Sequence, residues 1–229
     1  MVASRSRRAA LIALAVGALA LAAPGAGAQT WIDWTSISPG TGTATGVINL
    51  PGGPVSVLVS GNMIGGQVDN LGTNYWSPAS TWNGGGSAPT NSGFIQVTPA
   101  AQFRVTFSSP VDLYMALLSV GQGGVPITYD FGASPFTIVS QGPSSTWGGC
   151  NTCLTQVGNT VTGVEGDGTL HFVGPVSSLS FSTNPDEFWH GYTFGAAVVT
   201  PEPTSLVLLG TGLVGVFGAA RRRRNAQRD

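Results

Sequence analysis

The residues of this chain whose types and spacing could do chemistry include two cysteines and two histidines. Cys150 and Cys153 are three positions apart, a spacing shared by redox motifs, zinc half-sites and short structural disulfides. A zinc finger would need a second ligand pair at short spacing, whereas His171 and His190 lie 19 positions apart. Thioredoxin-like motifs open a helix of a βαβ unit, and this sequence predicts no such unit. We therefore predict a Cys150–Cys153 disulfide, with free thiols and a metal or redox site as alternatives.

Acidic residues near the end of the middle region could supply the carboxylate pair of a glycoside hydrolase. The candidates are Glu165, Asp167, Asp186 and Glu187. They stand beside Gly or Asn-Pro, which is typical of solvated turn residues, and at most they would be calcium ligands. The sequence has no G-x-S-x-G elbow, H-E-x-x-H pair or phosphate-binding loop. We therefore expect no catalytic site, no resident metal and no other cofactor.

Aromatic side chains are the remaining candidates for ligand contact. Most of the six tryptophans should fill the core, as large aromatic rings usually do. Tyr75, Trp76 and Trp82 lie in or beside a polar, Gly-rich stretch, residues 80–93, which we expect to be an exposed loop. Exposed rings on a neutral surface can stack on sugars. We therefore expect packing in the core as the default, with glycan contact by at least one of these three residues as the alternative.

Short apolar stretches punctuated by Gly, Pro and Asn must position these groups. Period-two alternation or flat apolar runs predict strands at residues 55–60, 94–98, 103–107, 113–120, 170–173, 179–182 and 193–199. Many short strands separated by turns are typical of an all-β fold, here a jelly-roll-like β-sandwich. Residues 164–172 predict a hairpin with Asp167-Gly168 at its turn. Within it Leu170 and Phe172 would face the core and His171 the opposite side.

The N-terminal end has the three-part layout of a secretory signal peptide. Arg5, Arg7 and Arg8 precede an apolar run at residues 9–23, and the small residues Ala26 and Ala28 fit a cleavage site. We predict a helical signal peptide over residues 1–28, processed by signal peptidase after Ala28. The alternative is an N-terminal membrane anchor. Export through the general secretory translocon fits better than the twin-arginine route, because Ala10 stands where that motif has a bulky residue.

Charge is distributed unequally along the chain. Residues 29–200 contain eight acids and one basic residue, Arg104, which gives a net charge of −7 (one minus eight), whereas the other eight arginines stand near the two ends. Positive residues stay on the cytoplasmic side of a membrane, so this distribution places the middle outside the cytoplasm. The middle has no basic patch that could neutralise phosphates, which argues against nucleic-acid binding.

The C-terminal end combines three features in a fixed order. Pro201, Glu202 and Pro203 precede residues 204–220, 17 residues without a charge. As a helix this run spans about 26 Å, near the lower limit for crossing a bilayer. The next four residues would stop transfer, because guanidinium groups are costly to move through lipid. They are Arg221, Arg222, Arg223 and Arg224.

This tail resembles the PEP-CTERM sorting signal. The resemblance implies recognition by exosortase, a membrane-embedded protease or transpeptidase, with cleavage near residues 201–203. It also implies a Gram-negative host that makes exopolysaccharide and a biofilm or floc matrix. Parts of the middle, residues 129–150 and 165–195, are similar to ectodomains of unassigned activity that carry such tails.

Together these observations predict three segments: a signal peptide (1–28), an exported β-sandwich domain (29–199) and a sorting signal (200–229). The protein would be anchored transiently in the inner membrane and then reach the cell surface or extracellular matrix. There we expect a structural or adhesive role that includes binding exopolysaccharide. A secreted polysaccharide hydrolase on a jelly-roll scaffold is the alternative.

Overall fold

The computed structural model describes residues 28–69, 73–84, 86–198 and residue 212. Within them the chain forms thirteen strands and two short 3-10 turns, Pro39–Thr41 and Ala79–Thr81. The strands in chain order are β1 (Gln29–Trp31), β2 (Asp33–Ser38), β3 (Thr43–Leu50), β4 (Gly53–Gly61), β5 (Gly65–Gln67), β6 (Phe94–Val97), β7 (Ala101–Val120), β8 (Ile127–Asp130), β9 (Phe136–Gln141), β10 (Leu154–Val157), β11 (Thr160–Gly163), β12 (Gly166–Asn184) and β13 (His190–Ala197). The prediction of an all-β protein is confirmed.

Two long antiparallel strands, β7 and β12, run through the whole sheet and pair along most of their length. Their register shifts near the middle, between His171 and Ser178. Residues 108–110 and 173–175 are exposed there. Each stretch contains a proline, and Gly174 adopts a positive φ of 81°, a backbone conformation that favours glycine. The two strands therefore bend together and carry the sheet from one layer to another.

We call these layers A and B. Layer A contains the first half of β7 and the second half of β12, flanked in order by β4, β3 and β2 on one side and β8, β11 and β10 on the other. Layer B contains the other halves, flanked by β9 beside β12, by β13, β6 and β5 beside β7, and by β1 beside β13. The arrangement is sandwich-like, and its finer jelly-roll connectivity stays a prediction.

The main core lies between the layers and is rich in aromatic rings. Phe103 and Phe181 of layer A contact Tyr192 of layer B at ring-centroid distances of 5.5 and 5.3 Å. Phe107 of layer A likewise meets Phe194 of layer B edge to face. Such T-shaped pairs stabilise beyond the area that they bury. These contacts hold layers A and B together across the core.

A second, smaller core covers the outer face of layer B. It consists of Trp76, Trp82, Phe94, Ala116 and Leu118. This cover explains why the run at residues 113–120 is apolar almost throughout: residues 115–120 are buried on both faces of β7. The prediction of a strand buried on both sides is confirmed.

Three local predictions differ from the structure. The strands predicted at 103–107 and 113–120 are both part of β7, and those predicted at 170–173 and 179–182 are both part of β12. Each long strand was divided in the prediction because the sequence at its bend resembles a turn. The 164–172 hairpin is wrong: Asp167 and Gly168 lie inside β12, and the chain turns at Glu165 (φ +52°) instead. The loop at 80–93 is only partly exposed, since Thr81, Trp82 and Ser92 are buried. Leu170 and Phe172 do face the core, and His171 is half-buried on the other side.

The chain separates into two units, with the boundary between Val198 and Val199. The predicted signal peptide and sorting signal lie outside the described residues, apart from Ala28 and Gly212. This applies to Ala26, to Pro201, Glu202 and Pro203, and to the arginines at 221–224. Among the residues that are described, no helix combines the length and apolar character needed to cross a bilayer.

Candidate functional site

The three aromatic candidates for glycan contact lie in different environments. Trp76 and Trp82 are fully buried in the second core and meet edge to face, 5.5 Å apart. Their indole N–H groups donate to the backbone carbonyls of Ser92 and Leu117, both at 2.9 Å. These two tryptophans therefore pack in the core, the default expectation, and neither ring offers a free face or a free donor to a glycan. Tyr75 is half-buried, and its role stays a prediction.

Tyr75 belongs to a group of three near-parallel rings that we call the aromatic pile. Its ring is 6.1 Å from that of Trp147, with 19° between the planes. Trp147 in turn is 4.2 Å from Trp189 at 21°. All three side chains are half-buried. The pile thus presents aromatic surface at the protein exterior from three separate loops.

The pile is fixed by its surroundings. The Phe94 ring stands edge-on to both Tyr75 and Trp189, at 5.4 and 5.5 Å. The Ser144 hydroxyl accepts a hydrogen bond from the Trp147 backbone N–H at 3.1 Å. Restraints of this kind order the rings before any ligand arrives, which lowers the entropic cost of binding.

Sequence reasoning missed Trp147 and Trp189, although both stand in polar sequence like Trp76. The sequence also did not indicate Phe188, the residue before Trp189. The Phe188 side chain is 81% exposed, the largest value among the exposed apolar side chains described. A polar neighbourhood in sequence therefore does not separate a surface tryptophan from a buried one.

Three of the four predicted carboxylates converge on one short segment at the end of β7. The Ser119 backbone N–H donates to Asp167 Oδ1 at 2.8 Å, and the Gly121 N–H donates to Glu187 Oε2 at 3.0 Å. The Ser119 hydroxyl reaches Glu165 Oε2 at 3.4 Å. We call Glu165, Asp167 and Glu187 the acid cluster. Asp186 lies apart, exposed, and accepts from the Ala100 N–H at 2.6 Å.

Burial dominates the electrostatics of the acid cluster. It raises the pKa of Asp167 from 3.8 to about 7; the Ser119 hydrogen bond lowers this pKa and the Glu165 charge raises it. Burial also raises the pKa of Glu165, where the Ser119 hydroxyl opposes the shift and the Glu187 charge adds to it. Asp167 Oδ2 is buried and has no hydrogen-bond partner within the described residues. Asp167 thus remains largely protonated up to near-neutral pH.

The acid cluster is poorly placed to act on a polymer. Asp167 is fully buried and Glu187 nearly so. The loop at 142–153 covers Asp167, since a Cβ atom added at Gly149 would lie 3.2 Å from Asp167 Oδ2. A general acid must reach the glycosidic oxygen of its substrate. This geometry gives a polysaccharide no direct contact with the Asp167 carboxyl group.

The cysteines form the predicted disulfide, Cys150–Cys153, with Cα atoms 5.1 Å apart. Neither histidine joins them. His171 Nε2 pairs with Asp112 Oδ1 at 2.6 Å, and buried His190 Nδ1 pairs with Glu187 Oε2 at 2.9 Å. In the part of the chain that is described, no three His, Cys, Asp or Glu side chains converge as metal ligands. The disulfide therefore overturns the free-thiol alternative.

Comparison with known proteins concerns mainly the tail. No curated protein matches the chain significantly. One solved structure that matches is the catalytic domain of a GH87 alpha-1,3-glucanase in complex with tetrasaccharides. The match has 13% identity and a TM-score of 0.26, and it covers 67% of this chain and 29% of that chain. So low a TM-score establishes neither fold nor function, and this chain spans less than a third of the glucanase chain.

The PEP-CTERM protein-sorting motif matches residues 199–224. This range contains the Pro-Glu-Pro tripeptide, the uncharged run and the four arginines. The motif implies export, anchoring through the C-terminal tail and processing by exosortase. The chain is therefore, by virtue of this tail, a PEP-CTERM domain-containing protein.

Proposed function

We propose that this protein is delivered by exosortase to the cell surface or extracellular matrix, where it acts by binding polysaccharide. Its role there is structural or adhesive, and it acts as a binding module rather than as an enzyme. The sorting motif supports the destination. The binding role rests on a different feature, the aromatic pile of the β domain.

The observation that carries the binding role is the placement of Tyr75, Trp147 and Trp189 together at the surface. Monomeric proteins usually bury such rings, and partly exposed aromatic groups mark interaction sites. Sugars present apolar C–H faces that pack on aromatic rings, while their hydroxyls remain available to polar neighbours. The domain has few charges to compete, since charged residues make up 8% of the chain.

The alternative function, a polysaccharide hydrolase, would depend on the carboxyl groups of the acid cluster. Retaining and inverting glycosidases both need two carboxyl groups that flank the scissile bond in an accessible cleft. Asp167 has the elevated pKa that suits a general acid, but it is fully buried. Burial of this carboxyl group favours binding over hydrolysis.

Processing in the native host tests the route. We expect the mature protein to begin at Gln29, after loss of the signal peptide, and to end near Pro203, after exosortase cleavage. Residues 204–220 would anchor the precursor until that cleavage, with Arg221–Arg224 retained in the cytoplasm. Mass spectrometry of material from the cell surface and inner membrane measures both ends. A full-length tail found only in the inner membrane would contradict the proposed sorting.

Polysaccharide retention tests the binding role. The full-length chain in mild detergent is passed over immobilised polysaccharide from the producing strain, and soluble reducing ends are assayed in parallel. We expect Trp189→Ala and Trp147→Ala to lose retention. Tyr114→Ala is the matched control, because Tyr114 is a half-buried ring stacked on His171 outside the pile. Thermal unfolding of each variant checks that it is folded.

The possible outcomes separate the hypotheses. Retention without new reducing ends, lost in the two tryptophan variants alone, supports the proposal. Retention that survives both substitutions would show that the aromatic pile is not part of the binding site. Release of reducing ends by the wild-type chain would instead establish the hydrolase.

A further inference from the structure

The outer face of layer A carries an open groove that none of the sites described above uses. Its volume is about 470 Å³. The polar side chains that line it come from four strands: Ser60, Gln102, Arg104, Asp130, Ser180 and Ser182. Ser60 pairs with Arg104, and Arg104 with Ser180, in adjacent strands. Side chains in register on one face of a sheet point the same way, so these residues form a continuous polar surface.

A second hollow extends the groove across the same face. It includes Thr45, Ser56, Leu58 and Thr106, and Leu58 pairs with Thr106 directly beside the Ser60–Arg104 pair. Thr106, Leu58 and Thr45 pair in turn on β7, β4 and β3, so they form a second row across the strands, two residues along from the Ser60–Arg104 row. A surface of this length suits an extended chain better than a single small molecule.

Arg104 is the unusual member of this surface. It is the one basic residue in the segment 29–200, which also contains eight acids. Its side chain is exposed. Among the described residues it forms no ion pair and no side-chain hydrogen bond. Asp130 lines the same groove, but its Oδ1 accepts from the Gly132 N–H at 2.8 Å. The guanidinium group is thus available to an external anion.

We propose that this groove binds a glycan chain that bears carboxylate groups, with Arg104 pairing with one carboxylate. The planar guanidinium fork matches a carboxylate in bidentate geometry. The serine hydroxyls and the Gln102 amide would hydrogen-bond the sugar hydroxyls on either side. This inference rests on the proposed polysaccharide-binding function, and it assigns a second contact on the opposite layer from the aromatic pile.

The charge of the surface favours this occupant over other polyanions. A single cation cannot neutralise the dense phosphates of a nucleic acid or the headgroups of an anionic membrane, where affinity grows with each basic residue. An acidic polysaccharide spaces its carboxylates by at least one sugar. One arginine among neutral hydroxyls fits such a chain.

Binding of oligogalacturonate to the full-length chain in mild detergent tests the proposal. The comparison ligand is the same oligomer after reduction of its carboxyl groups to alcohols. We expect Arg104→Gln to weaken binding of the acidic oligomer at least about tenfold and to leave binding of the reduced oligomer unchanged. Arg104→Lys should retain part of the affinity. Raising the salt concentration should weaken the binding of the acidic oligomer but not that of the reduced oligomer.

The controls keep this test separate from the proposed function. Arg104 is exposed, so Arg104→Gln should unfold at the wild-type temperature. Equal affinity of the wild-type chain for both oligomers, no measurable affinity for the acidic one, or no effect of Arg104→Gln would each overturn the proposal. If Trp189→Ala still abolishes retention on host polysaccharide in that case, the binding function stands and only the acidic-glycan site fails.

Discussion

Replacing Asp167 with asparagine should change how the stability of the domain depends on pH. The carboxyl group ionises near 3.8 in the unfolded chain, whereas burial raises its pKa to about 7 in the folded one. The protonated group therefore contributes stability that is fully present below pH 3.8 and is lost as the pH rises to about 7. Across the whole window the loss is about 4 kcal/mol, and between pH 5 and pH 8 it is about 2–3 kcal/mol. Asparagine does not titrate, so the variant lacks this loss.

Urea unfolding at several pH values between 5 and 8 measures the effect. The difference in unfolding free energy between the wild-type chain and Asp167→Asn should fall by about 2–3 kcal/mol over this range. Asparagine keeps an oxygen for the Ser119 N–H, so the local backbone need not move. Asp69→Asn is the matched control, because Asp69 is exposed, and its curve should run parallel to wild type. Parallel curves for Asp167→Asn as well would refute the argument from burial.

Three further substitutions or treatments test the packing described above. Trp82→Ala should lower the unfolding free energy by about 3–5 kcal/mol, because it removes a buried ring from the second core. Urea unfolding measures this change, and a loss under about 1 kcal/mol would contradict full burial. Gly195→Ala should lower the melting temperature, since its Cβ would lie 2.7 Å from the Trp31 ring, and an unchanged temperature would mean that the ring is not seated there. Reducing the Cys150–Cys153 disulfide should lower the unfolding free energy by about 2 kcal/mol, a modest amount because the bond closes a very short loop. Calorimetry with and without reductant measures this change, and no difference would contradict a stabilising bond.

Sequence reasoning succeeded where the signal was local. Alternation located parts of β4, β6, β7, β12 and β13, the three-residue spacing gave the disulfide, and the flat run at 113–120 indicated burial on both faces. Each of these depends on residues that are close in sequence and on the geometry of one element. The sorting motif is local in the same sense, since its tripeptide, uncharged run and arginines occupy the last 30 residues.

The candidate sites needed the tertiary structure. Trp147 and Trp189 meet at 4.2 Å although they are 42 positions apart, and no local pattern distinguishes them from Trp82. Asp167-Gly168 has the composition of a hairpin turn, yet long-range pairing of β12 with β7 draws it into a strand. Tertiary contacts override local preference in both cases. The partners of a loop residue cannot be read from its neighbours in sequence.

The formal charge of −7 also overstates how negative the surface is. Glu165, Asp167 and Glu187 converge in the acid cluster, and Asp167 is largely protonated below pH 7 because of its raised pKa. Asp112 pairs with His171. In the groove on the outer face of layer A, Asp130 is the one acid that lines the wall with Arg104, so one negative and one positive charge balance there. An incoming carboxylate would meet a nearly neutral surface with one cation, and this local balance, rather than the net charge, decides whether an acidic glycan can approach.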